Sequence, residues 1–285
     1  MNRLSTTSML ADMQALQLRM VEQDVVAMRS ACFPTELILT IYRLLGGTNE
    51  QVVIPFAVAW YTLIGAVRRL DHVQDGDEPI LLPRTGPQLG AAYNSLLCYL
   101  LLATSLLDDL DQQALPVARI LRLRRFWNDC LLRAASGQQS DIEALHSQPN
   151  TPDDLPALDQ YQHVAQAKSG ALFALAFGGT AVLVTDELTT ITALSTTGEI
   201  FGTLVQYLDD LRDAPTQGDV RLTLPATYQA ACQSFPQPLP MHPIHAFWQK
   251  IYTAYLDQVN HSLVVVAPEV RTELRQLFTH TFGPA

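Results

Sequence analysis

An all-α fold is what this sequence predicts, on three observations. No stretch alternates polar and apolar residues as a half-buried strand does. Helix-breaking or helix-starting prolines stand at Pro34, Pro55, Pro79 to Pro87, Pro116, Pro156, Pro215 and Pro236 to Pro243, leaving segments of about 20 to 30 residues, a length suited to a helical bundle around a deep pocket. Hydrophobic residues make up 48% of the 285 positions and only 14 are glycine, so one helical domain over residues 1–285 can bury a sizeable core.

Along the chain, Met9 to Met20 is amphipathic rather than apolar throughout, so no signal sequence is expected. Val52 to Val67 is a long apolar segment running into Asp71, read as a helix with acids at its end. Gly76 to Gly86 is read as a loop. Leu96 to Leu107, interrupted by Thr104 and Ser105, is too short to span a bilayer and is read as a buried core helix. The Gln148 to Pro156 stretch is read as a turn, Ala165 to Ala181 as a small-residue apolar segment, and Asp213 to Asp219 as a second loop. Val264 to Val266 is a β-branched run that fits a helix as well as a strand.

The segment Gln206-Tyr207-Leu208-Asp209-Asp210-Leu211-Arg212-Asp213 carries the clearest chemistry. On a helix Gln206, Asp209, Asp210 and Asp213 share one face. Isolated, such a group is commonly a solvated helix end. A second cluster, Asp71-His72-Val73-Gln74-Asp75, changes that reading, because two acid pairs that each close a helix supply the hard oxygen donors that Mg²⁺ takes together with a substrate phosphate. His72 is a poor Mg²⁺ ligand and is assigned outside the ligand set. Lys168 and Lys250 are the only lysines among 18 basic residues. An ammonium amid Ala165 to Ala181 either snorkels to water or meets an anion.

The order of these pieces resembles the trans-isoprenyl diphosphate synthases, whose all-helical fold is shared with class I terpene synthases. Gln206-x-x-Asp209-Asp210-x-x-Asp213 matches that family's second aspartate-rich motif, and Asp71-x-x-x-Asp75 resembles the first, with His72 where an Asp is usual. Gly137-Gln138 with Asp141, and Tyr161 with Lys168-Ser169, resemble the intervening signatures, and Asp219 to Pro225 resembles the closing segment, with Arg221 for Lys. The resemblance implies a class I isoprenoid synthase bundle with a central pocket and a homodimer. It implies three Mg²⁺ held by Asp71, Asp75, Asp209, Asp210 and Asp213 around the diphosphate of an allylic isoprenoid. Asp71, Asp75, Asp209 and Lys168 are then the catalytic set, with Lys168, Gln206 and Arg221 on the substrate. Ala66 and Val67, five and four residues before the first aspartate, set the depth of the pocket; neither is aromatic, which favours fifteen or twenty carbons, although small residues there equally allow close helix packing.

Three features of the elongating members are absent. Residues 28–34 hold one arginine and no lysine, Ile64 stands at the position of an upstream His, and only Arg84 remains of an Arg-Arg-Gly. A second diphosphate needs several fixed donors. The expected activity is therefore ionisation of a C15 or C20 allylic diphosphate to a terpene hydrocarbon or alcohol. The alternative is a prenyltransferase, either chain-elongating or ComQ-like in prenylating another acceptor. A non-catalytic helical partner ranks below both, because the second motif is intact. A net charge of −10 argues against nucleic acid as a partner. Four cysteines without a CxxC pair read as reduced thiols of a cytoplasmic protein.

Overall fold

A computed structural model describes residues 36–75, 87–146, 158–212, 227 and 244–283, and among them no strand is present. Asp213, Arg221, both expected loops, the N-terminal stretch 28–34 and Arg84 lie outside the described residues. The chain divides into two compact units, Met1–Thr40 with Asn49–Leu115, and Ile41–Thr48 with Pro116–Ala285. Helix α1 (Leu37–Leu44) contributes to both.

In the first unit a single 3-10 turn, Glu50–Val52, leads into α2 (Ile54–Asp75). The Asn49 side chain accepts from the Gln51 amide and caps the turn. Pro55 sits in the first turn of α2, where its missing amide hydrogen costs nothing. Phe56, Ala59, Trp60, Leu63 and Ala66 are buried along one side of α2, against α3 (Pro87–Ser105) and the 3-10 turn Leu106–Gln112 that follows it. The Arg69 guanidinium lies 5.9 Å from the centre of the Tyr99 ring, a cation–π distance. Helix α3 is not the buried core helix the sequence predicts. Leu96, Tyr99 and Ala103 are buried, whereas Tyr93, Leu97 and Leu101, at four-residue spacing, are 42%, 54% and 62% exposed. Its apolar residues therefore cover two faces, of which this unit buries one.

The second unit is built around one helix that is apolar on every side. Helices α5 (Leu158–Ala165) and α6 (Ala171–Val184) form one helical run, interrupted by a π turn at Gln166–Gly170. Every residue from Ala171 to Leu183 is buried, as expected for a helix with no polar face. Among the described residues the run Leu158–Val184 alone has the length and apolar content of a membrane span, and most of it is buried within the protein. Helices α4 (Val117–His146) and α7 (Leu188–Arg212) pack against α6, and α8 (Ile244–Ser262) and α9 (Pro268–Phe282) against α7. Of the β-branched run, Val264 and Val265 fall in a 3-10 turn, Leu263–Val265, and are exposed, whereas Val266 follows the turn in extended backbone and is buried. Cys130 is buried, and burial pushes its thiol up to about 12, which keeps it protonated and unreactive.

Arginines close two helix ends. Arg119 donates to the carbonyls of Leu183 and Val184 at 3.2 and 3.1 Å and to Asp186. Arg271 donates to the carbonyls of Leu263, Val264 and Val266. These bonds satisfy carbonyls that a helix end leaves without amide partners. Arg119→Met, which keeps the apolar stem, should lower stability by about 1–2 kcal/mol. Asp186 is exposed, so Asp186→Asn should leave the urea midpoint nearly unchanged. Equal midpoint shifts for the two variants would contradict the capping role.

Candidate active site

Helix α7 ends in the acidic segment, and the structure treats its two adjacent carboxylates differently. Asp209 is exposed, whereas Asp210 is only 8% exposed. Adjacent residues point about 100° apart on a helix, so one reaches solvent while the other turns toward α5. The Tyr161 hydroxyl donates to Asp210 Oδ2 at 2.5 Å, and Gln206 Nε2 donates to Asp210 Oδ1 at 3.0 Å. Gln206 Oε1 in turn accepts from the Ser169 hydroxyl at 2.6 Å. The face expected to present an amide and three acids thus has an inner side, with Asp210 and Gln206 bonded to each other and to α5 and the π turn, and a solvent-exposed side at Asp209. Asp213, the third acid of this face, is outside the described residues.

Tyr161 stacks on Tyr207 at 5.2 Å, and Tyr207 meets Tyr255 edge-on at 6.2 Å. Burial, and then the negative charge of Asp210, hold the Tyr161 phenol well above its ordinary range. Burial likewise raises the Tyr207 phenol. Both phenols therefore keep their protons, and Tyr161 acts as a fixed donor.

Lys168 occupies the middle of the π turn. Its ammonium meets Asp141 Oδ2 at 2.7 Å, with the two side chains 9% and 17% exposed. Of the two fates open to a lysine in this apolar segment, it takes the anion and does not snorkel. Backbone packing brings the turn into place. A Cβ on Gly137 of α4 would lie 2.5 Å from the Lys168 amide nitrogen, and one on Gly202 of α7 would lie 2.5 Å from the Ser169 carbonyl oxygen. Only glycine lets both helices approach so closely. Pieces separated by up to 73 positions, Gly137 with Asp141, Tyr161, Lys168 with Ser169, and Gln206 with Asp210, therefore meet in one cluster within the second unit.

In the first unit, Asp71 is half-buried on the last turns of α2 and Asp75 closes that helix; the side chains of Asp75 and His72 are outside the description. Ala66 is 1% exposed and Val67 half-buried. Asp141 as partner of Lys168 and Tyr161 as donor to Asp210 are roles that residue chemistry alone does not assign. The signal for the first was a buried cation in need of an anion. Among the described residues no three His, Cys, Asp or Glu side chains converge as a complete metal site. The oxygen donors that reach solvent, Asp209 above all, suit a hard cation that keeps waters and phosphate oxygens as its other ligands. A cleft of about 420 Å³ lies on α9, lined by Thr272, Arg275, Gln276, Thr279 and His280, and none of the site residues lines it.

Residues 90–220 match the family model of polyprenyl synthetases. No curated protein sequence matches the chain. Among solved structures, the fold is similar to a decaprenyl diphosphate synthase from Rhodobacter capsulatus, with a TM-score of 0.66 at 16% identity over 97% of each chain. It is also similar to a geranylgeranyl pyrophosphate synthetase from the archaeon Geoglobus acetivorans, with a TM-score of 0.65 at 18% identity over 88% of this chain and 86% of that one. A farnesyl diphosphate synthase from T. brucei, complexed with a bisphosphonate, gives 0.65 at 15% identity over 97% of each chain. At these identities the likeness is one of fold.

Proposed function

Taking the chain as a member of the polyprenyl synthetase superfamily, we propose that it is a Mg²⁺-dependent prenyl-transferring enzyme that ionises an allylic isoprenyl diphosphate. The observation that carries this reading is the cluster in the second unit. There a buried, oriented ammonium and an exposed carboxylate stand on elements locked by side-chain bonds.

Asp71, Asp75, Asp209 and Asp213 are the proposed Mg²⁺ ligands, while Asp210, with both oxygens already accepting bonds, orients rather than ligates. Bound Mg²⁺ would neutralise the diphosphate and favour charge on the leaving oxygen. Lys168, held by Asp141, and Arg221 would supply positive charge to the remaining phosphate oxygens. Heterolysis of the allylic C–O bond then leaves inorganic diphosphate and an allylic cation. A dry apolar wall would be needed to keep water from the cation. The small residues Gly65, Ala66 and Val67 on α2 support an allylic chain of fifteen or twenty carbons. The cytoplasm is the proposed compartment and a second copy of the chain the proposed partner, to which the exposed Tyr93, Leu97 and Leu101 of α3 lend apolar area.

Transfer to isopentenyl diphosphate is the first reading, because the matching family model and the solved relatives by name are synthases of prenyl diphosphates. In that step the isopentenyl double bond attacks the cation, a C–C bond forms and a proton leaves. A second reading, ionisation without a second diphosphate, draws on one observation: Ile64, at the position of an upstream His, is apolar and 7% exposed. Incubation with geranyl, farnesyl and geranylgeranyl diphosphates, with and without isopentenyl diphosphate, separates them. Mass spectrometry should find a diphosphate one isoprene unit longer under the first reading. A hydrocarbon or alcohol of unchanged carbon number, formed without isopentenyl diphosphate, would replace it with the second.

A further inference from the structure

We infer that Tyr161 and Ser169 are positioning residues, the two ends of a bonded chain, Tyr161–Asp210–Gln206–Ser169, that sets the register of the π turn and so the direction of Lys168. The inference rests on Lys168 being a diphosphate ligand. A π turn carries one more residue per turn than the helix on either side, shown here by the Ala171 amide donating to the Gln166 carbonyl five positions back. Such an extra residue has no intrinsic address. Shifted by one position, it would rotate the Lys168 side chain by about 100° around the helix axis and carry it off Asp141.

Packing alone does not give that address. Gly137 and Gly202 hold the backbone of the turn from two sides, but contacts to an amide nitrogen and a carbonyl oxygen are met by any residue that occupies the place. The side-chain bonds are selective. Asp210 accepts from Gln206 Nε2, which aims Gln206 Oε1 at the turn as an acceptor, and the Ser169 hydroxyl donates to it. Of the two residues that would replace Ser169 in a register shifted by one, Gly170 has no side chain, and Lys168 would have to give up Asp141 to donate there. Asp210 in turn is held by the Tyr161 hydroxyl, whose ring is fixed against Tyr207. Three elements, α5, the π turn and α7, are thus tied by three bonds, each with its direction fixed by the one before.

The test uses the full chain with Tyr161→Phe, Ser169→Ala, their double variant, Ser169→Thr and Lys168→Gln, which keeps a donor for Asp141. Binding of inorganic diphosphate in the presence of Mg²⁺ is measured by titration calorimetry, beside kcat and KM for an allylic diphosphate and the melting temperature. Tyr161→Phe and Ser169→Ala should each weaken diphosphate binding about tenfold, and the double variant by no more than either, because both break one chain. Ser169→Thr, which keeps the hydroxyl, should bind within about twofold of the unaltered protein. Independent effects that multiply to about a hundredfold in the double variant would overturn the inference. So would unchanged binding in both single variants when Lys168→Gln weakens it. Unchanged binding in Lys168→Gln would instead overturn the assignment of Lys168 on which the inference stands.

Discussion

Replacing Asp209 with alanine is expected to lower turnover of an allylic diphosphate by at least about a hundredfold while leaving helical content and stability unchanged. The two halves of that expectation come from its place. Asp209 is exposed near the end of α7, and surface changes usually cost within about 0.5 kcal/mol. As a proposed Mg²⁺ ligand, however, it acts directly on the charge that must be neutralised before the allylic C–O bond can break. Asp71→Ala is expected to lose activity similarly, and excess EDTA to abolish it in the unaltered protein. Asp210→Ala is a useful contrast, since it would strand the Tyr161 hydroxyl and the Gln206 amide inside the second unit. It should lose activity and, in addition, about 1–3 kcal/mol of stability. Full activity in excess EDTA, or normal turnover by Asp209→Ala, would sink the assignment of the second aspartate motif as a metal-binding site.

The largest loss of stability is expected from Phe201→Ala. Phe201 is 0% exposed and its ring meets four others, Phe173 at 5.3 Å and Phe177 at 5.6 Å from α6, and Phe278 at 5.3 Å and Phe282 at 4.9 Å from α9. Two of these contacts are edge-on, the geometry aromatic pairs prefer. Truncation removes a full aromatic side chain from a site walled by rigid rings, so it should cost about 3–5 kcal/mol. Against a typical domain stability of about 5–15 kcal/mol, that is about a fifth of the whole or more. The denaturant midpoint should fall with the slope unchanged. Leu132→Ala on α4, where the side chain is 71% exposed, should shift it by about 0.5 kcal/mol or less. A loss below about 1 kcal/mol for Phe201→Ala would mean that the four rings close around the gap, contrary to the packing described.

Helices were legible from the prolines and the lack of alternation, because both act over a few residues and need no tertiary partner. Pro55 and Pro116 do lie at helix starts, and the acids Asp71 and Asp209 do lie near helix ends. Burial was less legible. Leu96 to Leu107 carries apolar side chains around most of its circumference, which is the pattern of a core helix, yet Leu97 and Leu101 stand exposed in this unit. An apolar residue shows that burial is favourable and does not show what covers it.

Within the site, sequence by itself determined the chemical inventory: oxygen donors at helical spacing, one lysine in an apolar segment, and a hydroxyl beside it. Those follow from residue type and the helical repeat. Tertiary structure alone decided which member of each set does what. The 3.6-residue period places Asp209 and Asp210 about 100° apart but is silent on which of them Tyr161 on α5 meets, and the packing makes it Asp210. No local pattern marks the π turn, because one inserted residue leaves composition and periodicity almost untouched. Its position depends on Gly137, Gly202 and Gln206, which come from two other helices. Likewise Lys168 needed an anion wherever it was buried, and only the packing of α4 on the π turn made that anion Asp141, because long-range pairing is set by how helices dock and not by distance along the chain.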